Sequence, residues 1–132
     1  MKAKLILLAA LAALVAAGAA VAAHSVVIRG TGGNDVLTGT PGPDRIYARA
    51  GDDQVAGLDG NDRIFGSWGN DSIDAGTGDD FVRGGPGADT ILGGDGNDKV
   101  WVNIKETQDT FVNCELVYRV RVTHAQDVDD DS

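Results

Sequence analysis

Gly84-Gly85-Pro86-Gly87-Ala88-Asp89-Thr90-Ile91-Leu92 is followed directly by Gly93-Gly94-Asp95-Gly96-Asn97-Asp98-Lys99-Val100-Trp101. The two stretches share glycine at positions one, two and four, aspartate at six and an aliphatic residue at eight. Extended towards the N-terminus, the same frame runs back to Gly30 without insertion or deletion and gives eight units of nine residues. The fourth position is glycine throughout (Gly33, Gly42, Gly51, Gly60, Gly69, Gly78, Gly87, Gly96). The sixth is always aspartate (Asp35, Asp44, Asp53, Asp62, Asp71, Asp80, Asp89, Asp98). The eighth is always aliphatic (Leu37, Ile46, Val55, Ile64, Ile73, Val82, Ile91, Val100).

Each column has a physical meaning. A glycine every nine residues supplies backbone geometry that a tight turn needs. An aliphatic between two variable, often polar residues is the in-and-out alternation of a very short strand with one buried face. Helical repeats need far longer units, and each glycine inside a helix would cost about 1 kcal/mol relative to alanine. What remains is a turn-strand-turn-strand coil, two units per coil, stacked along one axis.

Composition points the same way. The formal charge is −9, and eighteen Asp stand against two Glu. A preference for the shorter carboxylate fits side chains that reach a fixed point from a tight turn. This balance excludes nucleic acid and anionic lipid surfaces as partners, since both want Lys and Arg, and favours a hard cation bound through oxygen. The regular aliphatics count against a merely acidic disordered chain.

The units resemble the hemolysin-type calcium-binding repeat, the RTX nonapeptide G-G-x-G-x-D-x-(Leu/Ile/Val)-x. Gly84–Leu92 and Gly93–Trp101 match it at every fixed position, and the resemblance covers 72 of 132 residues. It implies an all-β fold, a right-handed parallel β-roll of eight units over 30–101. It also implies that calcium is held between turns stacked on one edge, by aspartate carboxylates and backbone carbonyls. The implied pairs are Asp35/Asp53, Asp53/Asp71 and Asp71/Asp89 on one edge. On the other they are Asp44/Asp62, Asp62/Asp80 and Asp80/Asp98. That makes six ions at most, with Gly60, Gly69, Gly78, Gly87 and Gly96 in the ligating turns. Oxygen donors suit Ca2+ better than Mg2+ or Zn2+.

Departures from the pattern weaken individual turns. Ala48 and Ala75 replace the first glycine, and Thr31, Thr40, Arg49, Leu58 and Ser67 replace the second. Pro41 and Pro43 stiffen the turn at Gly42. The turn of Arg49 sets a cation beside the ion unless Asp52 neutralises it, and the turns from Asp62 to Asp98 are the best preserved. Asp52 and Asp79, with Asn34, Asn61, Asn70 and Asn97, occupy position five, where a side-chain turn bond is favoured over ligation. Asp59, Asp74 and Asp95 read as solvated surface. One small inward aliphatic per nine residues does not offset the ordering of the chain, so the roll is expected to fold on binding calcium.

Outside the repeats, residues 1–23 read as a secretory signal peptide. Lys2 and Lys4 precede the apolar stretch Leu5 to Val15 and the small residues Ala16 to Ala23. An anchor is the competing reading, but the stretch is dominated by alanine and no basic cluster follows it. Cleavage would leave an extracellular chain. Residues 24–29 read as a lead-in strand, 102–124 as a C-terminal β cap for the open end of the roll, and 125–132 as an acidic disordered tail. Cys114 is alone, so no internal disulfide framework exists; it reads as a small buried hydrophobe, with intermolecular pairing the alternative.

No catalytic constellation is present, and Gly66-Ser67-Trp68-Gly69 only echoes a nucleophile motif. The expectation is a non-enzymatic extracellular calcium binder with no small-molecule substrate. The alternative is an adhesion or matrix spacer with a cell-surface or matrix partner. Trp68 and the ninth positions Tyr47, Phe65, Leu92 and Trp101 either offer a contact face or pack against neighbouring coils.

Overall fold

The computed structural model describes residues 4–6, 24–103, 109–114 and 116–120. Its strands are β1 (Lys4–Ile6), β2 (Val27–Arg29), β3 (Asp35–Thr38), β4 (Arg45–Tyr47), β5 (Gln54–Ala56) and β6 (Arg63–Phe65). They continue with β7 (Ser72–Asp74), β8 (Phe81–Arg83), β9 (Thr90–Leu92), β10 (Lys99–Asn103), β11 (Thr110–Val112) and β12 (Leu116–Val120). Within the repeats each strand covers positions seven to nine, because glycine or alanine at position one of the next unit opens a turn.

Odd and even strands separate completely. One sheet runs β1-β3-β5-β7-β9-β11 and the other β12-β10-β8-β6-β4-β2. Every pairing is parallel. Leu37 faces Val55, Val55 faces Ile73 and Ile73 faces Ile91; across the roll Ile46 faces Ile64 and Ile64 faces Val82. Partners are 18 residues apart, so two units make one coil. The fold is a parallel β-solenoid.

The core is the eighth column. Its eight aliphatics are at most 4% exposed and cluster with Ile28, Ala48, Ala75 and Val102. The seventh and ninth positions face outward. On the even sheet the outer aromatics pack on one another along the axis. Tyr47 and Phe65 stack at 5.0 Å, Phe65 and Phe81 meet at 6.0 Å, and Phe81 and Trp101 at 5.8 Å. Thus the ninth-position rings pack between coils, whereas Trp68 stays 52% exposed.

Beyond Trp101 the described chain prolongs both sheets. Strand β10 runs on to Asn103, β11 lies on β9, and β12 lies on β10. Cys114 is half-buried beside the core, with Sγ 3.4 Å from the Val112 carbonyl oxygen. At the other end, β1 pairs with β3. The rest of 1–23 and the tail 125–132 lie outside the described residues.

Candidate metal centre

The sixth column forms two ladders, one along each edge of the roll. All eight aspartates are at most 2% exposed. The Asp35 N–H donates to Asp53 Oδ1 at 2.7 Å, Asp53 N–H to Asp71 Oδ1 at 2.9 Å, and Asp71 N–H to Asp89 Oδ1 at 2.9 Å. On the other edge Asp44 N–H donates to Asp62 Oδ1, Asp62 N–H to Asp80 Oδ1 and Asp80 N–H to Asp98 Oδ1, at 2.7–3.0 Å. The structure therefore joins all six aspartate pairs that the resemblance implies. One carboxylate oxygen of each pair is committed to stapling a coil to the coil before it.

The second oxygen is the informative one. Oδ2 of Asp53, Asp62, Asp71 and Asp80 is buried and accepts no hydrogen bond among the described residues. An ionised carboxylate oxygen hidden from water without a donor is costly. Burial accordingly pushes Asp62 and Asp71 up to about 7, and Asp53 and Asp80 up to about 6, against the downward pull of the Oδ1 hydrogen bond. Neighbouring carboxylates on the same edge add to the rise.

The first-position glycines keep the space beside Oδ2 open. A Cβ on Gly57 would come within 2.5 Å of Asp62 Oδ2 and 2.2 Å of the Ala75 carbonyl oxygen. One on Gly66 would meet Asp71 Oδ2 at 2.4 Å and the Gly84 carbonyl oxygen at 2.5 Å. Each cradle is thus lined by a carboxylate oxygen and a carbonyl of the next coil, both hard donors suited to calcium. Units three and six begin with Ala48 and Ala75 in place of this glycine, and both lie in the core. Among the described residues no three His, Cys, Asp or Glu side chains converge on one point, so one turn offers one carboxylate and the remaining ligands would be backbone oxygens.

The turns fall into two conformations. In units three to eight the second residue is left-handed (Arg49, Leu58, Ser67, Gly76, Gly85, Gly94), with φ between 75° and 104°. The fourth-position glycines of these units, Gly51, Gly60, Gly69, Gly78, Gly87 and Gly96, have φ between 113° and 140°. The first two units lack both features. There the Thr31 N–H donates to Asp35 Oδ2, and the Thr40 N–H donates to Asp44 Oδ2 at 2.5 Å. The Thr40 hydroxyl adds a bond to Asp44 Oδ2 at 3.0 Å. The chain itself therefore satisfies the oxygens that the later turns leave for a cation.

Position five makes side-chain bonds, but they run to the neighbouring coil and not within the turn. Asn34 Oδ1 accepts the Asp52 N–H at 2.9 Å, and Asp52 Oδ1 accepts the Asn70 N–H at 2.8 Å. On the other edge Asn61 Oδ1 accepts from Asp79 N–H, and Asp79 Oδ1 from Asn97 N–H. Those bonds hold Asp79 below the usual carboxylate range.

Asp109 escaped the repeat frame. Its Oδ1 accepts the Asp89 N–H at 3.0 Å, so it extends the ladder of the odd sheet by one coil. The spacing is 20 residues in place of 18, which hides it from a search in steps of nine. Its local signal is Asp109-Thr110-Phe111, an aspartate two residues before an inward apolar side chain.

A parallel solenoid that aims a buried, donorless carboxylate oxygen and facing carbonyls into successive turns is a cation-binding repeat protein. The RTX calcium-binding nonapeptide repeat, in its four-copy form, matches residues 29–64 and again 65–100. That is more than half of the chain, which belongs to this family of calcium-binding repeats. No curated protein and no solved structure matches it.

Proposed function

We propose that this chain is an extracellular calcium binder whose turns ligate Ca2+ and whose roll folds on binding it. The observation that carries the reading is the row of buried Oδ2 atoms on Asp53, Asp62, Asp71 and Asp80 that no donor reaches. Bound calcium would neutralise these oxygens together with facing carbonyls of the same edge. It would thereby convert a cost of folding into a contribution to it. The turns of units three to eight have the backbone for this role, and as same-edge pairs they make four sites, Asp53/Asp71, Asp71/Asp89, Asp62/Asp80 and Asp80/Asp98. Beside Asp62 and Asp71 the first residue of the unit is glycine (Gly57, Gly66), whereas beside Asp53 and Asp80 it is Ala48 and Ala75. The leader-like stretch that begins with Lys2 and Lys4 supports an extracellular setting, where calcium is abundant enough for modules of modest affinity.

The test is a calcium titration by circular dichroism, begun in chelator. A coil-to-β transition with calcium and none with magnesium is the expected result. An unchanged β spectrum in chelator would sink calcium-dependent folding.

A further inference from the structure

The turns of the first two units have the same lining as later ones, yet they are closed. A Cβ on Gly30 would press on Asp35 Oδ2 and the Ala48 carbonyl oxygen, and one on Gly39 on Asp44 Oδ2 and the Gly57 carbonyl oxygen. Gly57 and Gly66 face the same two kinds of oxygen, one on their own unit's aspartate and one on the next coil. What differs is the residue at position two. Thr31 and Thr40, both half-buried, turn their N–H groups onto Oδ2 of their own aspartates. Their hydroxyls also reach Oδ1 of Asp35 and Asp44, each at 3.1 Å. From the preceding half-coil the Val26 N–H donates to Asp44 Oδ1 at 3.0 Å. In these two turns the chain's own donors thus stand where Asp53, Asp62, Asp71 and Asp80 leave Oδ2 without one.

Backbone sterics account for the difference. From unit three onward position two is left-handed, with φ 75° at Ser67 and 104° at Gly85. There the amide is carried towards the neighbouring coil, and the Ser67 N–H donates to the Gly84 carbonyl oxygen at 2.9 Å. Glycine takes that conformation freely and an unbranched side chain takes it at some cost, but a β-branched one is an outlier in it. Threonine is β-branched, and neither Thr31 nor Thr40 is left-handed. Pro41 reinforces the effect at Thr40, because a residue before proline is held extended. Proline alone does not close a turn, however, since Gly85 precedes Pro86 and is left-handed all the same.

We infer that the residue at position two selects which turns take an ion, and that Thr31 and Thr40 replace the cation in the first coil and leave it a calcium-independent cap. The inference deepens the calcium reading and rests on it. A cation offers a buried carboxylate oxygen the positive partner that an open turn lacks. In the first coil an N–H and an O–H do so with partial charges fixed to the chain, present at any calcium concentration. A solenoid needs atypical, self-sufficient repeats at its ends, and the closed turns lie in the first repeats of the roll. By this rule the pairs Asp35/Asp53 and Asp44/Asp62 hold no ion when the roll is loaded. Asp53 and Asp62 then ligate only through their pairs with Asp71 and Asp80.

The experiment counts calcium ions per folded chain by native mass spectrometry of the full chain, beside circular dichroism of the same samples. T31G should hold one ion more than the wild-type chain, and T31G/T40G two more. The calcium-folding curve of the double variant should be steeper, because more ions are taken up per chain folded. T31V keeps the branch and loses the hydroxyl, so its count should equal that of the wild type. An unchanged count in folded T31G, or a gain in T31V, overturns the proposal. A second measurement needs no variant. In NMR spectra of the calcium-loaded wild-type chain, the Thr31 and Thr40 amide protons should lie far downfield and exchange slowly, as donors to buried carboxylates do. Rapid exchange at both overturns the proposal whether or not the variants fold. Failure of the calcium reading looks different: the wild-type chain itself then takes up no calcium and its dichroism does not respond to it.

Discussion

Residues that look identical in the repeat differ by what is stacked against them. Gly33 and Gly69 both hold position four, yet a Cβ on Gly33 would meet nothing within 4 Å, whereas one on Gly69 would lie 1.9 Å from the Gly51 carbonyl oxygen. The crowding comes from the preceding coil, and Gly33 is in the first. Gly33→Ala is therefore expected to leave the melting temperature in calcium nearly unchanged, while Gly69→Ala should cost about 2–3 kcal/mol, as overpacking does. Equal effects would mean that neither the left-handed φ of Gly69 nor the close approach of the preceding coil limits the fold. Leu58 is the converse case. It sits at φ 80°, 41% exposed, in a position where Gly76 and Gly94 take the same left-handed conformation on the same edge. A side chain pays for that conformation and glycine does not, so Leu58→Gly should stabilise the calcium-loaded roll by about 1 kcal/mol. A lower melting temperature would contradict it.

At the level of the element, the turn and its three-residue strand were largely legible. Periodicity of nine gave the aspartate and aliphatic columns, and two units per coil then gave their partners 18 residues away. The sealed first coil was not legible. Thr31 and Thr40 read as imperfect glycines until the structure showed their N–H groups turned onto Asp35 and Asp44. Nor was Asp109, since an insertion of two residues erases the arithmetic. The unsealed turns make a prediction about pH. Asp62 and Asp71 titrate near 7 in the folded, metal-free roll and near 3.8 in the unfolded chain. Between those values the folded state holds protons that the unfolded state has released, so metal-free stability is lost as pH rises through the folded value and is regained on acidification. In chelator, β structure should therefore be greater at about pH 5 than at about pH 8. Calcium competes with the same protons, so its folding midpoint should move to higher calcium as pH falls below 7. A metal-free spectrum insensitive to pH over this window would mean that burial of the carboxylates does not limit folding.

Across the whole molecule, each coil touches only its neighbours, and a solenoid of this kind behaves as a chain of coupled units. The coupling is visible in the aspartate ladder, where the oxygen of one coil holds the backbone of the coil before it. Asp71 lies midway along its edge, accepting the Asp53 N–H while its own N–H donates to Asp89. Asp35 lies at the start of the same edge: its N–H donates to Asp53, but its carboxylate is taken up by Thr31 within its own turn. Asp71→Ala would remove a calcium ligand and also strand the buried Asp53 N–H, a loss of about 1–3 kcal/mol before calcium is considered. Placed in the middle, that defect separates the coils on either side. The calcium titration should then become shallower, with two phases, as well as shifted to higher calcium. Asp35→Ala damages only the first coil, and the transition should keep its slope with a smaller shift. Two variants with parallel, equally steep curves would show that the roll folds as one unit regardless of where it is cut. In that case the cooperativity would have to come from the continuous aliphatic column between the sheets and not from the metal-bearing edges.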